Sequence, residues 1–173
     1  MSAPPALPPR LLLMVGPCAV EDEATCMHIA EAVLKLTQPY ADRLPIDFVF
    51  KASYRKANRT RGDSFAGIGD EEALAILARV RDRFGIPVIT DVHESQEVPA
   101  AAQVADYLQI PAFLCRQTAL LQAAGRHARR GVSIKKGQFM APGGMRHQVE
   151  KVRQASLQPA PSAAGPALEL YVA

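Results

Sequence analysis

Tryptophan is absent from this chain, aromatic residues make up only 6% of it, and cysteine occurs three times in 173 residues. Cys18, Cys26 and Cys115 are odd in number and irregularly spaced, which speaks against a disulfide framework and fits a reducing compartment. Long apolar runs are missing as well. The run at 11–15 falls far short of the ~20 residues that a membrane-spanning helix needs. Prolines crowd the first ten residues and would spoil the helical core of a secretion signal, so a cytoplasmic protein without membrane contact is expected. A strong excess of one charge is lacking too: 20 basic and 17 acidic residues leave a net charge of +3. With 49% hydrophobic residues, global disorder is excluded. The length suits one domain with a real core. It is too short for a complete eight-stranded α/β barrel, which takes about 250 residues.

What is present is alternation. Short apolar runs predict strands at 11–15, 47–51, 86–91, 107–110 and 132–135. Amphipathic stretches between and after them predict helices at 23–37, 71–84, 95–102, 117–129 and 145–154. In the first helix Ile29, Val33 and Leu36 share a face, and in the second Leu74, Leu77, Ala78 and Arg81 do. Ser95 is the expected cap of the third. The uninterrupted apolar run at 86–91 reads as a strand buried on both faces, as in a parallel sheet. The domain boundaries expected are a disordered proline-rich start at 1–10, five βα units over 11–154, and a divergent Pro/Ala-rich tail at 155–173. Within that tail only Leu-Glu-Leu-Tyr-Val could form a strand.

Side chains capable of chemistry gather at the C-terminal ends of the predicted strands, where α/β sheets carry their sites. Lys51, Arg55, Lys56, Arg59 and Arg61 put five cations and no acid into one loop, and Arg116 and Lys135 follow later strands. A solvated basic loop is the plain reading. Nucleic acid is disfavoured because the loop is short and offers no aromatic platform beyond Tyr54. Recognition of small phosphorylated or carboxylated substrates explains the like charges better, since an anion offsets their repulsion. Cys18 is either a small buried hydrophobe, a nucleophile or a soft metal ligand. Strand position alone offers Asp91, His93 and Glu94 as companions for a metal. Cys26 and Cys115 read as structural, and His28, His127 and His147 as surface residues.

Five motifs in order resemble 3-deoxy-D-manno-octulosonate 8-phosphate synthases over residues 11–153. They are Gly-Pro-Cys-Ala-Val-Glu (16–21), Phe-Lys-Ala-Ser-Tyr-Arg-Lys-Ala-Asn-Arg-Thr (50–60), Ile-Thr-Asp-Val-His-Glu (89–94), Gln-Ile-Pro-Ala-Phe-Leu-Cys-Arg-Gln-Thr (109–118) and Lys-Lys-Gly-Gln-Phe-Met-Ala-Pro (135–142). Lys-Ala-Asn-Arg distinguishes this group from the related heptulosonate synthases, which carry Lys-Pro-Arg-Thr there. The resemblance implies a TIM (β/α)8 barrel, commonly a homotetramer. It also implies condensation of phosphoenolpyruvate with D-arabinose 5-phosphate and water, a step toward lipopolysaccharide.

Residue by residue, the resemblance assigns phosphoenolpyruvate to Lys51, Lys56, Gln109, Arg116 and Lys135. It assigns arabinose 5-phosphate to Asn58, Arg59 and Thr60, and the catalytic positions to Lys51, Lys56, Asp91 and His93. Cys18 matches the ligand of a divalent metal (zinc, iron or manganese) in the metal-dependent class. Arg55 stands where an aspartate is common, and Gly143-Gly144 where a Trp-Asp pair is. Segments that follow the fifth helix in this group have no counterpart here, so the chain is expected to be a C-terminally shortened copy that does not turn over by itself.

Overall fold

A computed structural model describes residues 11–40, 43–158, 160 and 168–173. The proline-rich start and most of the expected tail lie outside the described residues. Six strands, β1 (Leu11–Ala19), β2 (Ile46–Ser53), β3 (Val88–Asp91), β4 (Tyr107–Ile110), β5 (Gly131–Ile134) and β6 (Glu169–Val172), form one parallel sheet in chain order. Helices α1 (Glu23–Thr37), α2 (Asp70–Phe84), α3 (Val98–Val104), α4 (Thr118–His127) and α5 (Arg146–Ser156) cross over between successive strands. Parallel neighbours joined by helical crossovers make this a curled, open segment of an α/β barrel.

Two layers of side chains hold it together. Between sheet and helices lies the main core, with Phe48, Phe50, Leu77, Val80, Val88, Leu108, Leu121, Ile134 and Val152 among its buried members. On the other face a smaller cluster joins Val49, Ile89 and Tyr107, flanked by Leu12, Met14 and Tyr171. Strand periodicity separates these two sets, because successive side chains point to opposite faces. All four residues of β3, β4 and β5 are buried, which is the double-sided burial expected of the apolar run.

Three local expectations change. Helix α3 begins at Val98 rather than near Ser95. Glu97 occupies the cap and Pro99 the first turn, where its fixed φ favours helix entry. Leu36 is 71% exposed although its spacing matches Ile29 and Val33, and the buried residues of α1 are Cys26 and Ala30. The sheet has six strands rather than five. The Glu169 amide donates to the Arg130 carbonyl (2.9 Å) and the Ala173 amide to that of Ile134 (3.1 Å), zipping β6 onto β5, while Leu168 and Leu170 pack against the main core. Arg81, expected on the packed face of α2, lies there by extending its guanidinium to the Val104 carbonyl (2.7 Å), which caps the end of α3. No helix among the described residues is long and apolar enough to cross a membrane.

Candidate active site

Period-2 alternation carries the inner face from apolar to polar along each strand. Val49 is followed by Lys51 and Ser53, Ile89 by Asp91, and Tyr107 by Gln109. Register then aligns these ends, since Asp91 is the partner of Gln109 and Gln109 that of Ser133. One hydrogen-bonded chain results. Lys56 Nζ donates to Ser53 Oγ (2.9 Å), Ser53 Oγ donates to Asp91 Oδ2 (2.8 Å), and Gln109 Nε2 donates to Asp91 Oδ1. Asp91, Ser53 and Gln109 are all buried, so these bonds replace the water that three strand-end groups would otherwise need.

Lys51 stands among these groups with Lys56 and Lys135 as like-charged neighbours and Asp91 opposing them. Burial pulls its ammonium below the ordinary lysine range, and the two lysines add to that pull against Asp91. Cys18 is exposed, in contrast to the buried-hydrophobe reading, and sits in a left-handed backbone conformation (φ 70°) beyond an irregularity in β1 between Val15 and Cys18. The Lys56 ammonium lowers its thiol pKa, helped by Lys51 and Arg59 and opposed by partial burial. Cys26 and Cys115 are buried, and burial pushes the Cys26 thiol up to about 11. His28 and His147 are exposed, and His127 is half-buried.

The basic loop is less uniform than its composition. Arg61 pairs with Asp63 (2.7 Å), and Arg55 pairs with Glu97 and with Asp70 (3.2 Å). Two of the five cations are therefore neutralised by acids that lie outside the run. Arg59 donates to the Phe65 carbonyl (2.9 Å), and it lies exposed with Asn58 and Thr60. Arg116 is exposed beyond β4, without a hydrogen bond or ion pair to any described residue. Hydrogen bonds and charge therefore link Lys51, Lys56, Asp91, Gln109 and Lys135, whereas Asn58, Thr60 and Arg116 are exposed and, among the described residues, make no hydrogen bond or ion pair to them.

His93 follows β3, with burial pushing its pKa below the usual value, Asp91 opposing, and Arg55 and Lys56 adding to the decrease. Sequence reasoning missed Ser53, Thr90, Tyr54 and Glu97. Ser53 was discoverable, lying two residues beyond Lys51 on the same strand face. Thr90 accepts from the Tyr54 amide (3.1 Å) and holds the start of the loop to β3. Among the described residues no three His, Cys, Asp or Glu side chains gather to hold a metal ion, so Asp91, His93 and Glu94 do not join Cys18 in a centre. A cavity of about 780 Å³ opens at the opposite end of the strands, lined by Tyr107, Arg130, Glu169 and Tyr171 among others. In barrels that end serves stability rather than chemistry.

The model of the DAHP synthetase I family matches residues 8–163. The chain is 49% identical over 150 residues to the 2-dehydro-3-deoxyphosphooctonate aldolase of Koribacter versatilis, covering 87% of this chain and 52% of the relative. It is 51% identical over 144 residues to that of a Synechococcus species (83% and 49%), and 50% identical over 141 residues to that of Acidithiobacillus ferrooxidans (82% and 48%). The chain spans about half the length of the curated relatives it matches. It belongs to the DAHP synthetase I family.

Proposed function

We propose that this member of the DAHP synthetase I family carries the phosphoenolpyruvate site of a 3-deoxy-D-manno-octulosonate 8-phosphate synthase. The reaction is an aldol-type condensation of phosphoenolpyruvate with D-arabinose 5-phosphate and water that releases phosphate. One observation supports it above the rest: among the described residues Lys51 has Lys56 and Lys135 as like-charged neighbours, opposed by Asp91 and Cys18, in a chain about half identical to octonate-phosphate aldolases. Such a cluster is offset by a polyanion, and phosphoenolpyruvate brings a phosphate and a carboxylate.

Lys51 and Lys135 neutralise the phosphate and carboxylate, Arg116 swings in as a planar fork, and Gln109 holds Asp91 at the floor. Lys56, linked through Ser53 to Asp91, faces the oxyanion that develops when the enol carbon attacks the aldehyde. Asp91 and His93 stand beside the reacting atoms, and Asn58, Arg59 and Thr60 take the phosphate of the pentose. Held in line, the two substrates gain the roughly 7–11 kcal/mol that positioning supplies. A divalent metal (zinc, iron or manganese) would polarise the aldehyde or water, with Cys18 as a donor. The described residues do not complete a ligand set for it. The homotetramer and the cytoplasm belong to this same reading.

Calorimetric titration of the chain with phosphoenolpyruvate tests it. Binding that Lys51→Met abolishes, and that inorganic phosphate reproduces only weakly, is the expected result. Equal heats from parent and variant would overturn the assignment. Phosphate release on adding arabinose 5-phosphate, with divalent metals in turn, then reads turnover directly.

A further inference from the structure

Glu97 lies outside every motif read from the sequence, yet three donors converge on it. Its carboxylate accepts from the Tyr54 hydroxyl, from Arg55 Nη2 and from the His93 amide (3.2 Å), and its Oε2 stands 3.6 Å from His93 Nδ1. Its side chain is 15% exposed. An ionised carboxylate has about four lone-pair sites and no proton to give, so any further group that bonds to it must donate. Arg55 also reaches Asp70 at the start of α2 (3.2 Å), and the Tyr54 ring meets the His93 ring edge-on at 6.1 Å. The loop after β2, the turn after β3 and the first turns of α2 and α3 are therefore tied at one point.

His93 Nδ1 is buried and lacks a hydrogen-bond partner, with the Glu97 carboxylate just beyond hydrogen-bond range. An unpaired buried nitrogen is costly, and a bare lone pair aimed at a carboxylate oxygen is worse. A proton on Nδ1 turns that repulsion into a hydrogen bond once the gap closes by about half an ångström. In a neutral ring this leaves Nε2 as the acceptor.

We propose that Glu97 is a positioning residue that holds His93 in its Nδ1–H tautomer and pins the Lys56-bearing loop beside it. His93 then presents Nε2 as a hydrogen-bond acceptor, and Lys56 stays beside Ser53 and Asp91. The significance of this for catalysis rests on the functional reading above, but the tautomer itself does not.

The chain holds four histidines. Long-range ¹H–¹⁵N correlation of the ¹⁵N-histidine-labelled protein at neutral pH resolves the protonated nitrogen of each, and His93→Gln identifies the His93 signals. The parent is expected to carry the His93 proton on Nδ1. Glu97→Met keeps the length but removes both carboxylate oxygens, so a proton on His93 Nδ1 loses its acceptor. The proton should therefore move to Nε2, an inversion that a merely structural role for Glu97 would not produce. Arg55→Met, which leaves the carboxylate in place, should keep Nδ1–H. A parent spectrum showing Nε2–H overturns the proposal without any variant, and so does a Glu97→Met protein that folds and keeps Nδ1–H. Adding phosphoenolpyruvate separates the two claims. If the tautomer is as stated and no signal moves on titration, the functional reading fails while this one stands.

Discussion

Replacing Gly16 by alanine would drive a methyl group into the backbone of the strand that carries Lys51. A Cβ at Gly16 would lie 2.1 Å from the Lys51 carbonyl oxygen, 2.9 Å from its carbon and 3.0 Å from its nitrogen. Relaxed carbon contacts are about 3.5–4.0 Å, so β1 must move off β2 by an ångström or more. No flexible side chain is there to yield. Overpacking of this kind costs typically 1–3 kcal/mol. The loss of one or two ladder hydrogen bonds next to the irregularity between Val15 and Cys18 adds about 0.5–1.5 kcal/mol each. A destabilisation of about 2–5 kcal/mol is large against the 5–15 kcal/mol of a typical domain. Urea unfolding followed by circular dichroism reads it as a lowered midpoint. Phosphoenolpyruvate binding should weaken in parallel, because the Lys51 backbone is what moves. Gly62→Ala and Gly143→Ala are the controls: nothing lies within 4 Å of a Cβ at either, and both should stay within about 0.5 kcal/mol of the parent. A Gly16→Ala protein as stable as these controls would refute the close approach of β1 to β2 at the site.

Asp106 is buried and accepts from the Val88 amide (3.0 Å), so Asp106→Ala should cost about 1–3 kcal/mol in the same urea assay. Asp106→Asn, which keeps an acceptor, should cost clearly less. Iodoacetamide should label Cys18 ahead of the buried Cys26 and Cys115, and Lys56→Met should slow that labelling near neutral pH by raising the Cys18 pKa; mass spectrometry of timed digests reads both effects. His93 titrates below its ordinary 6.5 when folded, so the unfolded chain binds more protons in the window just beneath that value. The contribution of His93 is complete above pH 6.5 and falls as pH drops through that window. His93→Gln should flatten the corresponding slope in unfolding midpoints, and an unchanged slope would count against the burial of the ring.

Sequence alone determined the βα alternation, because apolar period and run length are local properties of the chain and do not wait for packing. It also located Lys51, Lys56, Asp91, Gln109 and Lys135 at strand ends, since strand boundaries follow from where apolar runs stop. What it left open depends on which strands lie side by side. The Lys56–Ser53–Asp91–Gln109 chain exists because parallel register aligns the ends of β2, β3 and β4, and its Ser53–Asp91 and Asp91–Gln109 links each span a whole crossover. Charge in the basic loop was overcounted for the same reason: Arg55 finds Glu97 and Asp70, 42 residues away in the case of Glu97, and proximity in sequence gives no hint of it. Leu36 shares a face with Ile29 and Val33 and is still exposed, because periodicity reports which face a residue occupies but not whether a neighbour covers that face. The sixth strand shows the limit most plainly. Four residues with an apolar pattern are an option in the sequence, and only the open hydrogen-bonding edge of β5, together with the core beside Leu168 and Leu170, made them a strand.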